Sequence, residues 1–173
     1  SQEMYGGFAT ALASIEANDD VRVVMVTGAG GAFCAGGDVK AMNQSHVEGT
    51  GHRATMSSDE RLDDLRLRQR EVSLALHNFP KPVVAALPGA AAGAGLSIAL
   101  SADLRVAAPN ALLVTAFATV GASGDFGGSW FLTQLVGPAK ARELYFLADA
   151  VGAEEALSLG LFNRVVPNDQ LEA

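Results

Sequence analysis

The segment KPVVAALPGAAAGAGLSIALSAD, residues 81–103, joins a short apolar strand, a glycine-rich turn and a helix of small residues. Residues 82–87 are uncharged and end at a Pro-Gly pair, which is typical of a strand buried on both faces. Residues 94–101 predict a helix that begins directly after the turn. A strand that enters a helix in this way is the repeating unit of a sheet with helical crossovers.

The same order of strand, loop and helix occurs earlier in the chain. Residues 21–26 (VRVVMV) predict a buried strand, residues 27–37 contain five glycines, and a helix is expected to begin at Asp38. Helical spacing of apolar residues at 5–18 and 61–79 predicts two further helices. The polar segment 44–60 has no clear period and is interpreted as mobile.

Strands and helices continue to alternate towards the end of the chain. The remaining predicted elements are strands at 104–107, 112–115 and 162–166, a third glycine-rich loop at 120–128, and helices at 129–135, 138–147 and 153–159. This alternation predicts the α/β class. With neither a linker nor a fixed-period repeat in view, one domain over residues 1–173 is expected.

Charge and composition argue against several classes of protein. The 173 residues carry 19 acidic and 12 basic side chains, a net charge of −7, whereas binding to nucleic acid or anionic lipid requires clustered Lys and Arg. Two uncharged segments, 82–102 and 106–124, are long enough to span a bilayer, but Pro and Gly interrupt both, so buried structure is expected instead. We therefore expect neither nucleic acid nor membrane as a partner.

Cysteine and histidine usage gives two further expectations. The single cysteine, Cys34, cannot form an internal disulfide, which favours a reducing compartment and a cytoplasmic location. His46 and His52 have no cysteine or carboxylate partners at ligand spacing, so no metal site is expected.

Glycine-rich turns that precede helices present backbone N–H groups to a phosphate or an oxyanion. A dinucleotide fingerprint beginning at Gly28 would need a small residue where the chain has Phe33, so nicotinamide binding is disfavoured. For any single loop, a tight turn without a ligand is the alternative interpretation.

Three motifs resemble the crotonase, or enoyl-CoA hydratase/isomerase, superfamily. Residues 33–39 (FCAGGDV) resemble its F-x-A-G-x-D signature, and residues 81–89 (KPVVAALPG) resemble its KPVIAAVNG segment. Gly93-Ala94-Gly95 takes the place of the family's GGG, Ala102-Asp103 matches its CD, and residues 156–167 follow its A-x-x-x-G-L-V-x-x-V-V-P ending. The resemblance implies a crotonase-like spiral of ββα units. The family's first strand and its C-terminal helices would be absent, so the domain is expected to be incomplete at both ends.

The resemblance also implies how a coenzyme A thioester would bind. The thioester oxygen is expected between the backbone N–H groups of Gly37 and Ala94, an arrangement that stabilises an enolate. Further substrate-binding residues are expected at Ala35, Gly36, Asp38, Val39, Gly93 and Phe117. No prosthetic group is implied, because coenzyme A enters as part of the substrate.

Acid and base residues separate the reactions of this family. The resemblance places the two glutamate positions of the hydratases at Ser97 and Phe117, and neither residue can act as a carboxylate. Asp125, in the third glycine-rich loop, is the candidate that replaces them. Among apolar neighbours such as Phe126 its pKa is expected to be raised, which suits proton transfer between two carbon atoms. The alternative is that Asp125 caps the following helix.

Other side chains are given structural roles. Cys34 is expected to be a packed residue, and Asp103 to serve the end of its helix. Trp130 and Phe131 are expected in the core, where one of them could line an acyl pocket.

The resemblance favours an enzyme that isomerises an enoyl-CoA from a 3-ene to a 2-ene, or that rearranges a phenylacetyl-CoA-type substrate. An enoyl-CoA hydratase, which is a lyase, is the alternative, and a non-catalytic acyl-CoA-binding protein is the third possibility. The family also implies a homotrimer, or a hexamer made of two trimers.

Overall fold

The computed structural model describes residues 2–38 and 55–171, which form an α/β fold with two small sheets. The larger sheet has the order β1-β2-β4-β7, and its strands are all parallel: Val24–Thr27, Val83–Leu87, Leu104–Ala107 and Arg164–Val165. The smaller sheet has the order β3-β5-β6, with strands Ala91–Ala92, Leu112–Val114 and Val151–Gly152. In it β3 and β5 are parallel, and β5 and β6 are antiparallel.

Helices connect these strands. They are α1 (Gln2–Glu16), α2 (Ser58–Gln69), α3 (Ala75–His77), α4 (Ala94–Ser101), α5 (Gly128–Leu147) and α6 (Ala153–Ser158). A π-helical turn, Arg70–Leu74, joins α2 to α3, and 3₁₀ turns lie at Ala118–Val120 and Asn168–Gln170. The predicted α/β class is confirmed.

The core is centred on β2 and α4. In β2, Val83, Ala86 and Leu87 have no exposed surface, as expected for a strand covered on both faces. Every residue of α4 is buried, which small side chains allow. Strand β1 differs from the prediction: it begins at Val24 rather than residue 21, and Met25 is exposed because the described residues leave one face of this edge strand uncovered.

Helix α2 begins within the segment interpreted as mobile, and that interpretation is wrong for residues 58–60. Ser57 accepts the N–H of Glu60, and the Glu60 side chain accepts the N–H of Ser57, which forms a capping box. This reciprocal pair fixes the start of the helix. Residues 39–54 lie outside the described residues, and they include most of the polar segment and of the helix expected to begin at Asp38.

The end of the chain matches the prediction in part. The two helices expected at 129–135 and 138–147 are confirmed as two helical segments of α5, separated at Gly137, whose φ of 74° and ψ of 165° are not helical. The last strand is only Arg164–Val165, because the Asn163 side chain accepts the N–H of Arg105 where a longer strand would pair. Strands β3 and β6, each of two residues, were not predicted.

Buried polar contacts fix the strands behind the candidate site. The Arg105 guanidinium donates to the carbonyl oxygens of Leu161 (2.8 Å) and Ala102 (2.6 Å), and burial lowers its pKa. The Asp103 carboxylate accepts the N–H of Val83 at 2.8 Å, a structural role as expected, but at the start of β2 rather than at the helix end. Within the described residues no helix combines the length and apolar character needed to cross a bilayer.

Candidate active site

The first and second glycine-rich loops are joined through their backbones. The N–H groups of Phe33 and Cys34 donate to the carbonyl of Ala90, at 3.0 and 3.2 Å, and Ala92 N–H donates to the carbonyl of Cys34 at 2.9 Å. Cys34 and Ala91 form a parallel β-bridge. The first loop therefore runs beside β3 towards the start of α4.

Glycine allows this close approach at two positions. A Cβ on Gly95 would lie 2.7 Å from the Cβ of Cys34, and closer still to its carbonyl oxygen. A Cβ on Gly36, whose φ is +87°, would lie 2.5 Å from the carbonyl oxygen of Ala92 and 3.4 Å from the nitrogen of Ala94. The backbones of the two loops are thus in contact, and Gly36 lies against the beginning of α4.

Ala94 is the first residue of α4, so its N–H lies outside the hydrogen-bond ladder of the helix. Gly93, the N-cap residue, has a φ of 52° and makes no side-chain capping bond. Gly37 is exposed at the end of the first loop. The N-terminus of α4 favours negative charge beside Ala94.

The third loop holds Asp125 in a strained backbone. Positive φ values occur at Gly121 (68°), Gly124 (100°), Phe126 (51°) and Gly127 (72°). For Phe126, which is not glycine, the left-handed conformation costs about 1–2 kcal/mol. Buried packing of the Phe126 ring keeps the residue in place, and the adjacent Asp125 is half-buried with its Oδ1 atom fully buried.

Asp125 contacts the start of α5 through its backbone. Its main-chain carbonyl accepts the N–H of Gly128, the first residue of α5, at 3.0 Å. The N-cap residue itself is Gly127, which makes no side-chain capping bond. The alternative role of Asp125 at the helix end therefore has support from the backbone, and the role of its carboxylate stays a prediction.

Two tyrosines lie near Asp125, one on each side of the third loop. Tyr5 of α1 stacks on Phe126, with ring centroids 6.1 Å apart, and Tyr145 of α5 stacks on Phe117, with centroids 5.9 Å apart. Burial raises the pKa of Tyr145 to about 12, and the charge of Asp125 adds to this shift.

Tyr5 differs from Tyr145 in having a cation beside it. The guanidinium carbon of Arg68 lies 4.9 Å from the centre of the Tyr5 ring, and Arg68 itself pairs with Asp64 at 2.8 Å. Burial raises the pKa of Tyr5, Arg68 lowers it, and the charge of Asp125 raises it further. Arg68 thus lowers the pKa of Tyr5, whereas no such cation acts on the pKa of Tyr145.

Ser97 and Phe117, the two positions at which the resemblance predicts glutamates in a hydratase, lie in buried surroundings. Ser97 is 1% exposed, and its hydroxyl donates to the carbonyl of Gly93 at 3.3 Å. Phe117 is 8% exposed, and its ring edge lies 3.9 Å from where a Cβ of Gly93 would be. A serine hydroxyl and an aromatic ring thus line this side of the site.

Among the predicted site residues, the structure places Gly36 against Ala94, and Gly93 against Phe117. Ala35 and Asp38 are exposed on the first loop beside Gly37, whereas Val39 lies outside the described residues. His46 and His52 also lie outside them, and the described part of the chain contains no cluster of three or more potential metal ligands.

Trp130 corrects a prediction, because it is 53% exposed rather than in the core. It follows the third loop in the first turn of α5, with its ring edge against His77. Phe131 is buried as expected and lines a cavity of about 350 Å³ together with Ser73, Leu74 and Gly127.

Sequence reasoning did not find Tyr5, Tyr145 or Arg68. Both tyrosines occupy helical positions that are equally typical of core packing, and Arg68 lies in a helix rich in charge. One signal was present: only two tyrosines occur in the chain, and a buried phenol needs a polar partner.

Comparison with known proteins gives consistent matches over the whole chain. The enoyl-CoA hydratase/isomerase family matches residues 1–173. The 1,2-epoxyphenylacetyl-CoA isomerase of Escherichia coli K12 is 37% identical over 172 residues, which are 99% of this chain and 62% of that protein.

Solved structures are similar to the same extent. An enoyl-CoA hydratase from Bacillus anthracis has a TM-score of 0.85 at 31% identity, covering 99% of this chain and 62% of its own. Another from Polaromonas sp. JS666 has a TM-score of 0.82 at 36% identity, covering 95% and 60%. The chain thus spans about three-fifths of the length of the proteins it matches.

Proposed function

Because the chain belongs to the enoyl-CoA hydratase/isomerase family, we propose that it isomerises an acyl-CoA thioester by shifting a double bond from the 3-position to the 2-position. The proposal is carried by the residues at the two positions where the family resemblance implies hydratase carboxylates. This chain has Ser97 and Phe117 there, while Asp125 supplies a carboxylate from the third loop.

The thioester carbonyl accepts hydrogen bonds from the backbone N–H groups of Gly37 and Ala94. Their loops are in backbone contact, and Ala94 begins a helix whose N-terminus favours negative charge. Preorganised donors of this kind stabilise the developing oxyanion by about 3 kcal/mol each.

Asp125 moves one proton between two carbon atoms. Its carboxylate takes a proton from C2 of the 3-enoyl thioester, and the C–H electrons pass into a dienolate whose charge rests on the carbonyl oxygen. The carboxylic acid so formed returns the proton to C4, the double bond settles between C2 and C3, and Asp125 is ionised again. No oxidant, reductant or water is consumed.

Hydration is the rival reaction, and the names of the two similar solved structures favour it. It requires a group that activates water. The buried Ser97 hydroxyl, which already donates to Gly93, and the Phe117 ring are poorly suited to that task. The printed name of the Escherichia coli relative favours isomerisation, and it adds a phenylacetyl-CoA-type compound to the substrates worth testing.

The test compares turnover of a 3-enoyl-CoA and a 2-enoyl-CoA by the wild type and by Asp125→Asn. We expect the wild type to shift the double bond of the 3-enoyl-CoA, and Asp125→Asn to lower kcat by about 10²–10⁴-fold, the usual contribution of a general acid/base. Asp20→Asn, which neutralises an exposed carboxylate after α1, is the matched control and should behave as wild type.

Two results would contradict the proposal. Hydration of the 2-enoyl-CoA that persists in Asp125→Asn would indicate a hydratase with another water-activating group. Tight binding of both thioesters without turnover would indicate a non-catalytic acyl-CoA-binding protein. The trimeric or hexameric assembly and the cytoplasmic location stay predictions.

A further inference from the structure

Tyr145 fills the space between the two positions that lack a carboxylate. Its ring lies parallel to Phe117, with an interplanar angle of 5°. A Cβ placed on Gly128 would collide with the Ser97 hydroxyl oxygen and would lie 2.7 Å from the Tyr145 hydroxyl oxygen. The two hydroxyl oxygens therefore converge on one glycine at the start of α5.

The Tyr145 side chain also lies along the loop that carries Asp125. A Cβ placed on Gly124 would be 3.0 Å from Cε1 of Tyr145 and 3.5 Å from its hydroxyl oxygen. Gly124 immediately precedes Asp125, and Gly128 follows it by three residues. The phenol thus contacts the loop on both sides of the carboxylate, at two residues whose lack of a side chain makes room for it.

A buried hydrogen bond fixes α5 at the residue before Tyr145. The buried Thr115 hydroxyl donates to the carbonyl of Leu144 at 2.9 Å, and Leu144 itself is in the core. Since the pKa of Tyr145 is raised to about 12, chiefly by burial, the phenol keeps its proton at neutral pH and remains a hydrogen-bond donor.

We propose that Tyr145 is a positioning residue for Asp125: its neutral hydroxyl, held beside Ser97, orients the Asp125 carboxylate for proton transfer to and from the substrate. This inference rests on the proposed isomerase function and adds a residue to it. Where a hydratase of the family has charged glutamates, this chain would then have a stack of Phe117 and Tyr145 with a neutral donor at its edge.

Other charged or titratable groups also face this region. Tyr5 approaches Asp125 from α1, and Arg68 and Cys34 lie next to Tyr5. Because Arg68 acts on Tyr5, a change at Tyr5 also disturbs a cation. The pKa of Tyr145 is raised by burial and by the charge of Asp125, without a cation. Tyr145→Phe is therefore the cleaner probe of a hydroxyl beside the carboxylate.

Tyr145→Phe keeps the ring and its stacking on Phe117 and removes only the hydroxyl. A donor to a carboxylate stabilises the ionised form, so its loss raises the pKa of the base. The acid limb of the kcat profile should therefore move to higher pH. At neutral pH kcat should fall about tenfold, the worth of one such hydrogen bond, while KM changes little.

The experiment measures 3-enoyl-CoA isomerisation against pH for the wild type, Tyr145→Phe, Ser97→Ala and Asp125→Asn, with the thermal midpoint of each variant. We expect the shifted acid limb in Tyr145→Phe at a nearly unchanged midpoint, and a smaller shift of the same sign in Ser97→Ala. A wild-type kcat profile in Tyr145→Phe would overturn the inference. A lower midpoint with equal loss of rate at every pH would also overturn it, because that is what a purely structural role predicts.

The two proposals fail in different ways. A wild type without isomerase activity would overturn both. An active wild type, an inactive Asp125→Asn and an unaltered Tyr145→Phe would overturn the role of Tyr145 alone.

Discussion

The two halves of the candidate site are built by opposite means. The first and second loops are fixed to each other by main-chain hydrogen bonds at Phe33, Cys34 and Ala92, and by glycines that admit direct backbone contact. The third loop instead reaches its shape through left-handed residues, including Phe126. The proposed backbone donors thus lie on a packed framework. The Asp125 carboxylate lies instead in a loop that contains a strained residue, Phe126.

This difference separates the proposed groups that bind the thioester from the side chains that are proposed to determine the reaction. The proposed oxyanion donors at Gly37 and Ala94 belong to the backbone, so side-chain changes at those positions leave the donors in place. The proposed reaction type depends instead on side chains, namely Ser97 within α4, Phe117, and Asp125 in the third loop. A framework of this kind can keep one substrate class while its chemistry changes.

Gly95→Ala should have the largest effect, because it disrupts the backbone contact between the first and second loops. The added methyl would meet the carbonyl oxygen of Cys34, a backbone atom that cannot move without separating the two loops. We expect the free energy of unfolding to fall by about 2–3 kcal/mol, despite the higher helix propensity of Ala. Turnover should fall by about 10²-fold or more as the donors separate. Urea unfolding and steady-state kinetics measure both.

Gly152→Ala is the matched control for this substitution. A Cβ at Gly152 meets nothing within 4 Å, and its φ of −75° suits any residue. Wild-type turnover is expected, and stability should fall only by about 0.5 kcal/mol, because Gly152 is the N-cap of α6, where Ala is less favourable. If Gly95→Ala behaved like this control, the framework would not depend on close backbone contact.

Raising the pH should lower the free energy of unfolding by an intermediate amount, through ionisation of Tyr145 beside the third loop. The pKa of Tyr145 is raised from 10.0 to about 12, so the folded state holds this proton more strongly than the unfolded chain. The associated stability is complete below pH 10 and is lost as the pH rises towards 12. Tyrosinate absorbance and urea midpoints across this range should show late ionisation and falling stability.

Tyr145→Phe isolates this contribution, since Tyr5 is then the only tyrosine left to ionise and the lysines and Cys34 are the same in both proteins. The decline of stability above pH 10 should become shallower in the variant. An equally steep decline would mean that Tyr145 is not the group responsible.

Relief of backbone strain should give the smallest effect. Ala116 and Ala148 both have positive φ, 59° and 55°, but only Ala116 leads into the site, next to Phe117. Glycine removes the left-handed penalty and adds chain entropy to the unfolded state, so each Ala→Gly change should raise stability by about 0.5–1 kcal/mol. Turnover should fall a few-fold only in Ala116→Gly, where the approach to Phe117 becomes looser. Equal kinetics in the two variants would show that this strain does not serve the site.

Much of the framework could be predicted from local pattern. Helix α4 has the predicted bounds, and β2 begins within one residue of prediction, because an uncharged run bounded by Pro and Gly leaves few alternatives. The start of α2 was also readable, since Ser57 and Glu60 have capping-box spacing. Strands β3 and β6 could not be predicted, because a strand of two small residues shows no alternation of apolar and polar side chains. Their pairing also depends on distant segments of the chain.

The site was predictable only where the backbone decides it. Gly36 and Ala94 come together because glycine motifs mark close approach, and a motif carries that information locally. Tyr5 and Tyr145 are brought to Asp125 by the packing of α1 and α5 around the third loop, which no local pattern encodes. The bend of α5 at Gly137, by contrast, follows a Gly-Pro pair that the sequence displays.

The bridge between Cys34 and Ala91 has a consequence for the order in which the protein folds. Gly37 and Ala94 are 57 positions apart in the chain, and the intervening residues include α2 and β2. Closing so long a loop has an entropic cost that local helix formation cannot offset, and non-local pairing of this kind slows folding. The proposed pair of donors would therefore be among the last features to assemble, and a refolding chain would recover its secondary structure before its activity.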